Sequence, residues 1–120
     1  MASNSPITTV FNIGAITNAT LPLFKVPAGF GGITILALQT TQLTAGTTQL
    51  YLIDAGTAGT STDGGTLATS GTAHAAKVPV AGSVSSSAYL AEGKYLAVKE
   101  GNVGTTVTVT EVAVTYVFGK

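Results

Sequence analysis

The chain contains no cysteine, no tryptophan and no arginine, has one histidine, and carries very little charge. Each shortage closes a class of function. Without cysteine there are no disulfides and no thiolate metal sites, and the redox compartment is left open. Without tryptophan there is no indole platform for a sugar ring. Charged residues make up 8% of the chain, against about 25% in ordinary soluble domains. The basic residues are Lys25, Lys77, Lys94, Lys99 and Lys120, scattered along the sequence, and the net charge is zero. A nucleic-acid binder needs a concentrated basic face to neutralise phosphates, and these lysines cannot supply one.

Mean hydropathy is nevertheless +0.46. So much neutral surface fits either a membrane protein or a subunit covered by partners. The uncharged runs 1–24 and 26–53 are interrupted by Pro, Gly, Asn, Gln and Thr, so neither reads as a spanning helix. No secretion signal is read, because the first residues hold no basic side chain and no apolar core follows at once. The assembly subunit is the better reading, since large apolar patches tend to mark interaction sites.

What is present is strand chemistry. Residues 105–118 read TTVTVTEVAVTYVF, rich in valine, threonine and aromatics and free of Gly and Pro. Such side chains fit a pleated surface better than a helix. The alternation contains a break. Val107 and Val109 share one parity, whereas Val112, Val114, Tyr116 and Phe118 share the other. A regular strand would send these sets to opposite faces. Either a bulge near Thr110-Glu111 resets the phase, which is the reading preferred here, or the strand passes into a second packing environment.

At 120 residues the chain is expected to form one domain over residues 7–120, preceded by a polar arm at 1–6. Residues 7–13 alternate as a first strand. Residues 21–26 read as an edge strand, because Pro22 cannot donate to a ladder. Pro27-Ala28-Gly29 is a turn. Residues 33–38 and 50–53 are apolar on both faces. Residues 55–76 are almost wholly Gly, Ala, Ser and Thr and read as a surface excursion, with a weak strand near 67–69. A polar strand at 83–89, a turn at Ala91-Glu92-Gly93 and a strand at 94–99 lead to the final one. No helical stripe appears. The expectation is an all-β fold: a two-sheet antiparallel sandwich of about seven or eight strands, jelly-roll type.

Chemical signatures are weak. His74, alone in the excursion, reads as an incidental loop residue. A Ser/His/Asp arrangement lacks a nucleophile elbow. Asp54 and Asp63 bracket a Gly/Thr-rich loop, yet their spacing matches no calcium-binding pattern. Gly29-Phe30-Gly31-Gly32 looks like a phosphate cradle but has no lysine and no following helix. Catalytic, metal and cofactor sites are therefore not expected. A sandwich uses one face of each sheet, so strands apolar on both should meet a subunit or shell. The candidate interface is Ile33, Ile35, Leu36, Leu38, Tyr51 and Ile53. Tyr95 joins it as the aromatic opposite in parity to Leu96 and Val98; the alternative for Tyr95 is a second packed layer.

The segment Val26-Pro27-Ala28-Gly29-Phe30-Gly31-Gly32-Ile33-Thr34-Ile35 resembles small jelly-roll structural proteins of tailed bacteriophages, of the capsid decoration or head-fibre type. So do Ala45-Gly46-Thr47-Thr48 before Leu50-Tyr51-Leu52, the run Ala91-Glu92-Gly93-Lys94-Tyr95-Leu96-Ala97-Val98-Lys99-Glu100, and Tyr116-Val117-Phe118-Gly119-Lys120. Together they cover about half the chain. The resemblance implies a virion protein that binds an assembled shell without catalysis, often as a trimer, with the major capsid protein or another virion protein as partner. From composition and motifs, no cofactor, nucleic acid or membrane is expected as a partner. A tail, neck or fibre component is the alternative in the same class, and a carbohydrate-binding module in another. The family pattern does not account for the excursion.

Overall fold

A computed structural model describes residues 5–16, 20–46, 49–60, 65–71, 73–86, 88–100 and 107–120. The polar arm expected at 1–6 thus falls mostly outside the described residues, with Ser5 and Pro6 exposed. The strands are β1 (Ile7–Asn12), β2 (Ala15–Ile16), β3 (Thr20–Lys25), β4 (Ile33–Gln42), β5 (Leu50–Asp54), β6 (Thr66–Thr69), β7 (Val80–Ala81), β8 (Ser83–Val84), β9 (Tyr89–Leu90), β10 (Tyr95–Glu100) and β11 (Val107–Phe118). No helix occurs among the described residues. The all-β expectation holds.

Two antiparallel sheets pack face to face. Sheet one runs β1-β11-β4-β7, with β2 on β11 and β9 on β4; sheet two runs β3-β10-β5-β6-β8. Three of the short strands are pieces of one. Val80 and Ala81 lie opposite Thr40 and Gln39, and Tyr89 and Leu90 lie opposite Thr34 and Ile33. Between these pieces Ser83 and Val84 lean across to β6. With these counted as a single strand, and β2 counted with β1 because both pair with β11, sheet one has the order first, last, third, sixth, and sheet two second, seventh, fourth, fifth. That is the winding of a jelly roll, reached with the number of strands the sequence implied.

The long last strand behaves as its parity demanded. Val109 pairs with Gln42 and Glu111 with Thr41, so Thr110 is the extra residue of a bulge. Beyond it Val112 and Val114 are completely buried. A second bulge corrects an expectation about residues 33–38. Thr115 pairs with Ala37 and Tyr116 with Ile35, which leaves Leu36 unopposed. The extra residue shifts the phase of β4, so Ile33 and Ile35 before it and Leu38 after it all face the core. The strand is apolar on both faces in sequence only.

The described part of residues 55–76 is fastened to the sandwich at several points: the weak strand expected near 67–69 is β6, while Thr57, Ala58, Thr60, Ala73, Ala75 and Ala76 are exposed. Ala55, Leu67, Ala68, Ser70 and His74 are buried; residues 61–64 and 72 lie outside the described set. Small side chains let this backbone lie flush on the sandwich. Ala55 N donates to Tyr95 O at 2.9 Å, Tyr95 N to Gly56 O at 2.9 Å, and Ser70 N to Leu50 O at 2.8 Å. Backbone hydrogen bonding, rather than apolar bulk, fastens the segment.

Candidate interaction surfaces

The seven residues proposed from sequence as an interface do not share a surface. Ile33, Ile35 and Leu38 lie inside the main core, where no partner reaches them. Leu36, the bulge residue, is 46% exposed. Ile53, Tyr51 and Tyr95 occupy the outer face of sheet two, in a small second core with Ala55 and Ala97. Ile53 is 1% exposed. Its cover comes from the same chain. Gly59, at φ 75°, sits on the Tyr95 ring so closely that a Cβ there would lie 3.1 Å from Cγ. The second packed layer is therefore the correct account of Tyr95, which is half-buried.

The rest of that face is polar. Lys25 Nζ lies 5.9 Å from the Tyr95 ring centroid and Lys99 Nζ 6.0 Å from that of Tyr51. Lys94 pairs with Asp54 at 3.1 Å. The chain has spent much of its small stock of charge here.

The outer face of sheet one is different. Since Val112, Val114 and Tyr116 point inward, Glu111, Ala113, Thr115 and Val117 point out. Val10 stands beside Ala113 and Thr8 beside Thr115, and on the other flank Gln39 and Ala37 complete the rows. Thr8 and Thr115 share a hydroxyl hydrogen bond of 2.8 Å. Val10 is 51% exposed. Glu111 is the one charged side chain on these rows. The result is a broad, short-chained, nearly neutral surface.

At one end of the sandwich the glycine-rich turn carries an aromatic tip. Phe30 is 57% exposed and packs on Phe118 with ring centroids 4.7 Å apart. The turn is braced from three sides. Gly29 N and Gly31 N both donate to Glu92 Oε2, at 3.0 and 2.6 Å. The Tyr89 hydroxyl donates to Gly31 O at 2.6 Å, and Gly119 N to Gly32 O at 2.8 Å. Gly32 admits no side chain, because a Cβ would overlap the Tyr89 hydroxyl. The segment is the turn that its sequence implied, and two of its N–H groups nonetheless hold an anion, the chain's own Glu92. Sequence reading left Glu92 as an ordinary turn residue.

Between the edges β1 and β3 the two sheets part to leave a cleft of about 390 Å³, lined by Val10, Phe11, Asn12, Ile13, Leu21, Pro22 and Leu23. None of these residues is charged.

His74 is 4% exposed and belongs to the interior. The Gln42 amide nitrogen donates to Nδ1 at 3.3 Å, so Nε2 carries the hydrogen and gives it to Thr40 Oγ1 at 2.8 Å. Burial lowers the imidazole pKa from its ordinary 6.5. A signal for this existed: Thr40 and Gln42 continue the inward parity of Leu38, and buried polar groups require partners. Among the described residues, no three His, Cys, Asp or Glu side chains gather as a metal site. Among the described residues no helix is long and apolar enough to cross a membrane. Comparison with known proteins finds no matching family model, no matching curated protein and no matching solved structure.

Proposed function

We propose that this chain is a non-enzymatic structural subunit of a bacteriophage virion, of the capsid decoration (cement) type, which binds an assembled shell and stabilises it. One observation carries the reading: the outer face of sheet one is nearly free of charge and no described residue covers it. Neutral threonine, alanine and valine can be removed from water without the large penalty of desolvating ions. Sheet two has part of its equivalent face covered, where Ala55 packs with the buried Ile53 and Ala97 and Gly59 lies on Tyr95, so docking falls to sheet one. The jelly-roll winding and the resemblance of the turn and strand patterns support a virion setting. The working form is a homo-oligomer, with a trimer favoured, and the shell partner is the major capsid protein or another virion protein.

The test adds the purified chain to shells assembled without it. Binding at micromolar concentration, together with a higher temperature of shell disruption, is the expected result. Shells that neither retain the chain nor gain heat resistance at tens of micromolar would refute the reading.

A further inference from the structure

We infer that two copies of this chain pair edge to edge through β1, antiparallel, so that their first sheets become one sheet. This rests on the reading of the chain as an assembly subunit. The unit it builds is a two-fold pair, where the resemblance alone favoured a trimer.

An open sheet edge presents a row of main-chain N–H and C=O groups, a template for another strand. Three of the four edges here are blunted. β3 carries Pro22, which has no N–H, a register shift that leaves Leu23 unopposed, and Lys25 at its end. β8, at the far edge of sheet two, and β7 and β9, at that of sheet one, have two residues each. β1 has none of these devices. It has six residues, ITTVFN, without charge, Pro or Gly, and it pairs with β11 in unbroken register. No described strand lies on its other side. Since β11 already holds it straight, little ordering remains when a strand is added.

The core is also open along this edge. Ile7 stands opposite the inward Tyr116, and Leu21 of β3 opposite the buried Val98, so both side chains face inward. Each is nevertheless 38% exposed. The cleft beside them offers an incoming strand apolar side chains such as Phe11 and Leu23 together with the main chain of β1.

The symmetry of the edge selects a second copy as the occupant. β1 carries no charge, so two of them meet without repulsion. Opposite residues of antiparallel strands share a face, so the longest overlap puts a two-fold axis at Thr9 or Val10. With the axis at Thr9, Ile7 of each copy comes opposite Phe11 of the other, a branched–aromatic pair of the kind that stabilises sheets. The contact is isologous and closed. Both copies then keep sheet two on the same side, and the rows of Thr8, Thr115, Val10 and Ala113 join into one neutral platform on the other. The face that docks is thereby doubled. A slip of one residue would instead turn one sandwich over.

The experiment uses the full chain and sedimentation equilibrium, with circular dichroism to establish that each variant folds. The wild type is expected to be a dimer at tens of micromolar. Ile7→Lys puts an ammonium against the apolar side of the partner strand and is expected to weaken the dimer at least about tenfold. If it fails to fold, Val10→Lys takes its place. The chain has no cysteine, so introduced cysteines report the contact directly. Thr9→Cys or Val10→Cys, whichever lies on the axis, is expected to give a disulfide-linked dimer on mild oxidation, and Ser83→Cys on β8 is not. A wild type that stays monomeric at hundreds of micromolar overturns the inference, as do trimers, and as do dimers that neither the lysine nor the β1 cysteines report. A monomer whose β1 amides exchange slowly only on shells gives the edge to a strand of the shell, which also overturns it. Shell binding by the wild type is the separate readout. A dimer that binds no shell refutes the virion reading alone, and a monomer that binds shells refutes the edge contact alone.

Discussion

The two sheets have outer faces of equal standing in the fold and opposite fates. On sheet two the chain turns back after β5 and covers its own strands, burying Ile53, Ala55 and Ala97 and leaving Lys25 and Lys99 over tyrosine rings at the margin. On sheet one nothing described returns over β11 and β4, and the outward rows are Thr, Ala, Val and Gln with the single charge of Glu111. A closed face contributes to the stability of the monomer. An open neutral face contributes little to the monomer and is available to a partner. Substitutions on the two should therefore be felt in different measurements.

The largest difference is expected between Ile53 and Leu36. Ile53→Ala empties a site within a second core and should cost about 2–5 kcal/mol in urea unfolding. Leu36→Ala, at an exposed bulge, should stay within about 0.5 kcal/mol. Equal costs would erase the distinction between the faces. A smaller effect is expected at glycine. Gly59 has φ 75° with the Tyr95 ring against it, so Gly59→Ala should destabilise by about 1–3 kcal/mol. Gly14 has no atom within 4 Å of a built Cβ, so Gly14→Ala should leave the unfolding midpoint nearly unchanged.

A pH experiment sharpens the comparison from inside, because His74 fastens the chain after β6 to the inner side of β4. Its native pKa is lowered by burial, so the unfolded state takes up a proton that the native state refuses. The contribution is fully present above the unfolded value near 6.5, is lost as pH falls through it, and levels off below the native value. The thermal midpoint of the wild type should therefore fall on acidification from about pH 7.5 to 5, and that of His74→Gln should fall less. A small loss is expected at the margin of sheet two, where Lys99→Ala should cost about 0.5–1 kcal/mol through the lost contact with Tyr51. A cost that survives in molar salt would point to packing by the lysine stem instead.

Much of this architecture was legible in the residues, and the reason is periodicity. The switch of parity in β11 located the Thr110 bulge, because an inward valine set cannot change faces otherwise. Pro22 marked β3 as an edge, and the absence of any helical stripe left a sandwich. The failures share a different cause. The bulge at Leu36 leaves no mark in an unbroken apolar run, where every residue could face the core, so Ile33, Ile35 and Leu38 looked available to a partner. Residues 55–76 looked too poor in apolar mass to pack. Where they are buried, glycine and alanine let the backbone approach, a property of contacts rather than of composition. Glu92 and His74 were passed over because their partners, the amides of Gly29 and Gly31 and the side chains of Thr40 and Gln42, lie far away in sequence.

The central claim is that sheet one, and not sheet two, carries the shell contact. The most direct measurement compares one added lysine on each outer face, Ala113→Lys on β11 and Thr66→Lys on β6, by binding to assembled shells after folding has been verified. The account predicts that Ala113→Lys loses binding while Thr66→Lys keeps it. Retained binding by Ala113→Lys, or its loss only in Thr66→Lys, would contradict it.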